Sequence, residues 1–318
     1  MRALLLALLL TTPAAADTAE AVHDQIRPGY AAFAEAAQAL AALDSCDPDQ
    51  LRPAFHAAYD AWLSVGHLHL GPAEDEGRSL AIHFWPDPKG LGRKAQSALL
   101  TGDPAALQPQ AFRQQSVAAR GLPALERLLY PAEPLPADAC PLIKATAADL
   151  SDMTGDLASA WGPFGDLLLT AGEPGNTSFL SAAEARQALF TQFAGGLEHI
   201  ADNRLGRPLG TFDKPRPELA EARASERSLR NVTLSLKALR SLALALNPTI
   251  PKTEATFDQA IALADTLDDP TLAGVADPQT RLKVEILQQA VRATRQAAIA
   301  ELAAALGVTL GFNSQDGD

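Results

Sequence analysis

The chain has 318 residues and a formal net charge of −12, with 26 Lys and Arg against 38 Asp and Glu. It has no clustered basic tail to neutralise phosphates, which argues against a nucleic-acid partner. Hydrophobic residues make up 47%, much of it Ala and Leu, and aromatics only 5%, so strong helix formers dominate and the composition predicts an all-α protein with an ample core. Residues 1–16, MRALLLALLLTTPAAA, carry the secretory pattern: Arg2, an apolar run Ala3–Leu10, and an A-x-A end at Ala14–Ala16. Cleavage is expected before Asp17. The apolar run is about half of the ~20 residues a membrane span needs, and no later segment approaches that length, so the mature chain is expected to be exported and soluble. Cys46 and Cys140 are the two cysteines. In an exported chain an even count points to a disulfide, with two buried free thiols as the alternative. Closing that loop would add roughly 4 kcal/mol in the chain-entropy model.

In chain order, Val22, Ile26, Tyr30, Phe33, Ala37 and Leu40 alternate by four and three, predicting a first helix bent near Pro28–Gly29. Asp47-Pro48-Asp49-Gln50 reads as a helix start, and Leu51, Phe55, Ala58, Trp62 and Val65 continue it. The Gly- and Pro-punctuated stretch 66–92 reads as a long irregular segment, and loops of that length are often functional. Helices are predicted over 93–100, 112–130 and 137–160, followed by a Gly/Pro-rich break at 161–178. Ser181-Ala182-Ala183-Glu184 is a capping box opening a helix through Leu189, Phe193, Leu197 and Ile200. A second irregular segment covers 206–217. Helices over 218–246, 253–267 and 281–306 complete the set. No segment has the strand period, and the pattern predicts two packed four-helix-type bundles, 17–160 and 161–318.

The stretch GLPALERLLYP, 121–131, contains two misfits. Glu126 shares a mostly apolar strip with Gln115, Ala119, Leu122, Pro123 and Leu129. Pro123 cannot donate to the Ala119 carbonyl, so a continuous helix would bend and free that oxygen beside a poorly solvated carboxylate. Such a pair could help bind a cation; the alternative is a buried Glu paired with an Arg from another helix. His67, His69, Glu74, His83 and Asp87 fall in the long loop and offer transition-metal donors, or are ordinary loop and core residues. Arg223, Arg227, Arg230 and Lys237 fall on one predicted helix face, able to receive an anion or simply solvated. Asn313, Asp316 and Asp318 offer oxygen ligands near the C-terminus, or a flexible end. There is no H-E-x-x-H, serine elbow, P-loop or dinucleotide fingerprint.

The segments HLHLGPAE, FWPDPKG, GLPALERLLY, NRLGRPLG, ASERSLRNV and TLGFNSQDGD together resemble the imelysin family, exported all-helical proteins also catalogued as M75 peptidases, from about His23 to the C-terminus. The resemblance implies two facing helical bundles, a periplasmic location, and a link to iron uptake with an envelope partner protein. The family's signature is a Gly, a His two residues on and a Glu three further. Gly121 and Glu126 match, while Pro123 stands where the metal-binding His would be. Zinc-type peptidase chemistry, which needs at least three protein ligands and a polarised water, is therefore not expected. The reading that follows is a non-enzymatic protein binding iron, another divalent metal or an iron-bearing ligand between the bundles. Glu126, His67 and His69 are the candidate metal ligands. Gly121, Trp85, Arg230 and Asp316 complete the candidate binding set, with Arg230 pairing Glu126 or an anion. A metallopeptidase and an envelope interaction scaffold are the alternatives.

Overall fold

The computed structural model describes residues 18–309. The expected leader and Asp316 lie outside the described residues. Among those residues the chain is helical, with one isolated bridge between Thr211 and Lys214. A π-helical turn Ala21–Ile26 runs into α1, Arg27–Ala41, with Pro28 in its first turn. Pro28 and Gly29 lie in the first turn of that α-helix, and the helical pitch changes just before them, at Ile26–Arg27. A Cβ at Gly29 would lie 2.5 Å from Val65, so the small residue lets α1 lie close on α2, Pro48–Val65. The Asp47 carboxylate caps α2, accepting from Asp49 N at 3.0 Å.

Helices α3, Leu91–Thr101, and α4, Gly121–Leu129, lead to α5, Cys140–Leu169. The second half is α6, Ala182–Glu198; α7, Ser228–Leu246; α8, Pro251–Asp265; and α9, Pro278–Leu306. α1 packs on α2 and α5, and α9 packs on α6 and α8. α7 packs against α8 in its own half and against α2 in the other, so the halves share a seam. Cys46 and Cys140 are disulfide-bonded, tying the start of α2 to the start of α5.

Three predicted elements differ, each for a tertiary reason. α5 runs through the break expected at 161 and ends at Leu169. Trp161 is buried and stacks on Tyr30 at 5.0 Å, while Arg27 donates to the Gly162 carbonyl at 2.5 Å and to Asp166 at 2.6 Å. Packing across α1 thus outweighs the Gly-Pro step, and the halfway break falls after Leu169.

The single helix expected over 112–130 is three pieces: Pro109–Phe112, the 3-10 turn Val117–Ala119, and α4. Gly121 breaks it with φ +71°, and a Cβ there would sit 2.2 Å from the Ile82 carbonyl oxygen, so no side chain fits. Pro123 is then the third residue of α4, where a backbone N–H has no intrahelical acceptor to lose. The proline opens a helix rather than kinking one, and the Ala119 carbonyl is not freed by it.

The helix expected from 218 begins only at Ser228. Residues 220–226 form tight turns, with left-handed φ at Ala222 and Glu226. Arg223 and Arg227 therefore precede the helix, and the basic face expected of Arg223, Arg227, Arg230 and Lys237 does not exist as a stripe.

Candidate functional site

Between the halves, the turn after α2, the segment around Trp85, the C-terminal part of α6 and α7 enclose a cavity of about 390 Å³. Helix α6 continues through a π-helical stretch His199–Leu205 into the short helix Gly206–Leu209. The wider π pitch is a frequent mark of functional segments, and here it carries His199 and Arg204 into the cavity wall. Four imidazoles line the space, His67, His69, His83 and His199, together with Trp62 and Trp85.

The four imidazoles are not equivalent. His67 is half-buried, and its Nε2 is buried and unpartnered among the described residues. Burial, helped by nearby positive charge, drives its pKa down to about 3. His199 is likewise held down to about 3, by burial first and then by Arg204, and its ring meets Trp85 edge-on at 5.9 Å. Both stay neutral and keep a lone pair at neutral pH. His69 lies 3.2 Å from Glu74 at the exposed mouth. His83 Nε2 lies 2.8 Å from the Tyr59 hydroxyl and 3.1 Å from Glu221 Oε1.

The wall behind His83 is ionic. Glu221 is buried and accepts from Arg204 Nε at 2.7 Å and Asn231 Nδ2 at 2.9 Å. Burial alone would push its carboxyl up, but Arg204 and His83 hold it well below the usual carboxylate range. Arg204 also donates to Ser235 Oγ at 2.5 Å. A buried charge is tolerated when paired and hydrogen-bonded on every side, and this pair is.

Glu126 faces elsewhere. With Pro123 it lines a second cavity of about 230 Å³, which shares Trp85 with the first. Its Oε1 accepts from Ser225 N at 2.9 Å and Ser225 Oγ at 2.7 Å. Burial raises its pKa, and those two bonds pull it only partly back. The candidate metal trio is therefore not assembled: His67 and His69 line one cavity, and Glu126 lines the other, held by Ser225. Among the described residues no three His, Cys, Asp or Glu side chains are grouped to hold a metal ion. Asp87, also a candidate, caps α3 through Leu91 N and Gly92 N at 2.8 Å each.

Arg230 does not pair with Glu126 either. It donates to Asp60, which Arg227 also binds. Arg227, 1% exposed, further contacts His56 Nδ1 at 2.8 Å and lies over the Tyr59 ring at 4.7 Å. His56 continues the chain to the Tyr130 hydroxyl at 2.8 Å. Trp85 lines both cavities, and Gly121 opens α4. Arg204, Glu221, His199 and Ser225 escape sequence reasoning, because a charge in a polar segment gives no local sign of a partner far along the chain. The quoted motifs NRLGRPLG and ASERSLRNV were the available hint: they contain Arg204 and Ser225.

Comparison with known proteins adds to this geometry. A sequence profile described as Peptidase_M75, Imelysin, matches residues 19–298. Iron-regulated protein A of Synechococcus elongatus is 27% identical over 265 residues, which is 76% of this chain and 70% of that protein. The crystal structure of an imelysin-like protein from Psychrobacter arcticum superposes with a TM-score of 0.76 at 20% identity, covering 93% of this chain and 96% of that one. A putative iron-regulated protein A precursor from Parabacteroides distasonis gives a TM-score of 0.55 at 14% identity, over 89% and 93% of the two chains. These two likenesses concern the fold alone.

Proposed function

Because the chain belongs to the imelysin family, we propose that it is an exported, iron-related binding protein that takes its ligand in the histidine- and tryptophan-lined cavity between its halves. The carrying observation is the pair His67 and His199: two neutral, largely desolvated imidazoles facing one cavity of about 390 Å³. The separated candidate ligands argue against a bare ion held by Glu126, His67 and His69. The cavity suits iron carried within a small complex, which the imidazoles would ligate or hydrogen-bond while Trp62 and Trp85 pack against it. The iron in the printed names of the two relatives supports the class of ligand. The secretory pattern of residues 1–16, and the word precursor in one relative's description, support a periplasmic location. An envelope partner in iron uptake would receive or deliver the ligand.

A peptidase is the weaker reading. Pro123 brings no ligand atom to the signature position, and Glu126 already commits one of its two oxygens, Oε1, to Ser225. The deciding experiment is titration of purified protein with ferric and ferrous salts and with small iron chelates, read by tryptophan fluorescence and metal analysis. Saturable uptake that weakens about tenfold or more in His67→Ala and His199→Ala is expected. Absence of any iron uptake, or uptake unchanged in both variants, removes the reading.

A further inference from the structure

The cavity beside Glu126 has the wrong electrostatics for a cation. Four guanidiniums line it, those of Arg93, Arg127, Arg207 and Arg223, against three carboxylates. Each of those carboxylates is already engaged through at least one oxygen. Both oxygens of Asp87 cap α3, Glu218 accepts from Arg216 at 2.5 Å, and Glu126 accepts from Ser225. The guanidiniums are not. The side chains of Arg93, Arg207 and Arg223 make no hydrogen bond or ion pair among the described residues, and Arg207 Nε is buried without a partner. Arg127 spends its Nε on Gln96 and one Nη on the Ala118 carbonyl, at 2.6 and 2.7 Å, so it contributes charge more than donors.

Like charges around a small cavity repel, and a buried N–H without an acceptor is costly. One ligand relieves both: an oxyanion with several oxygens, which planar guanidinium forks bind in a bidentate way. The approach is also prepared. A neighbouring groove carries Lys89, Arg93 and Lys94, sharing Arg93 and Gly90 with the cavity, so an acidic chain presents a basic path to this one point.

We infer that the cavity between α4 and the 218–223 segment binds a small multivalent oxyanion of the carboxylate or phosphate class, through Arg93, Arg207 and Arg223. The position that resembles the family's metal pair has thus changed the sign of its ligand. This site lies across Trp85 from the histidine cavity and does not rest on that cavity's proposed role.

The test is calorimetric titration of metal-free protein, at fixed ionic strength, with citrate and inorganic phosphate, and with acetate as the monovalent control. Saturable binding of citrate or phosphate, stronger than acetate, is expected. Arg207→Gln and the exposed Arg223→Gln should each weaken it about tenfold or more, the loss of a charge-assisted bond. Circular dichroism verifies that the variants fold. Glu126→Gln should leave anion affinity unchanged or tighten it, because it removes only residual negative charge. Binding by one anion and not the other assigns the class and supports the site. No saturable binding of either anion, or affinity unchanged in both arginine variants, overturns it. So does a divalent cation such as Mn2+ that binds wild type and fails with Glu126→Gln.

Discussion

On one side of Trp85, imidazoles face a cavity whose buried guanidinium, Arg204, is already matched by Glu221. On the other side, Arg93, Arg207 and Arg223 face a cavity whose charges are not. One short stretch of chain serves both: His199 and Arg204 belong to the first cavity, and Arg207, three residues after Arg204, to the second. Which ligand each can take is decided by the local pairing of charges. The overall charge of −12 predicts neither.

The largest expected effect falls in the ionic wall of the histidine cavity. Arg204→Met leaves Glu221 buried without its guanidinium, with only Asn231 and His83 against it, and should cost about 3–5 kcal/mol in urea denaturation. The double variant Arg204→Met with Glu221→Leu should recover part of that loss, since it strands no charge. Next comes Gly121→Ala, which places a Cβ against the Ile82 carbonyl at positive φ and should cost about 2–4 kcal/mol. It also shifts the start of α4, so it should weaken anion binding beside Glu126 more than iron uptake beside His67. Side-by-side titrations of the variant check this.

Acid sharpens the contrast further. His67 and His199, held down to about 3, remain neutral when folded but take up protons when unfolded below about pH 6.5. Their contribution to stability is therefore lost as pH falls from ~6.5 towards 3, by up to about 1.4 kcal/mol per pH unit for each. Glu126, whose pKa burial raises, has the opposite sign. It favours the fold at low pH, and that contribution is lost as pH rises through its raised value. Urea midpoints from about pH 4 to 7 should show a shallower acid loss in His67→Leu, with the slope of wild type kept in Arg223→Gln. The smallest effect belongs to Arg230→Ala. Its exposed pair with Asp60 is backed by Arg227, so the change should cost less than ~1 kcal/mol and leave both ligand titrations as they are. A large loss of anion binding there would restore the expected link between Arg230 and Glu126.

By itself the sequence determined the helices with regular apolar spacing and the capped starts at Asp47 and Ser181, and it favoured the bond between Cys46 and Cys140 that the structure forms. It also picked out Glu126 as a carboxylate in an apolar setting. These are features of local period, local hydrogen bonding and composition. Tertiary structure alone decided that Trp161 continues a helix because Tyr30 covers it, and that Gly121 ends a segment because the Ile82 carbonyl leaves no room for a Cβ. It also decided that Pro123 therefore begins α4 instead of bending it. It separated His67 and His69 from Glu126, gave Arg230 to Asp60, and brought Arg204 to Glu221 and Ser225 to Glu126. Charge pairing acts through space and leaves no period in the chain, so the partners of a buried charge become legible only once the fold has chosen its neighbours.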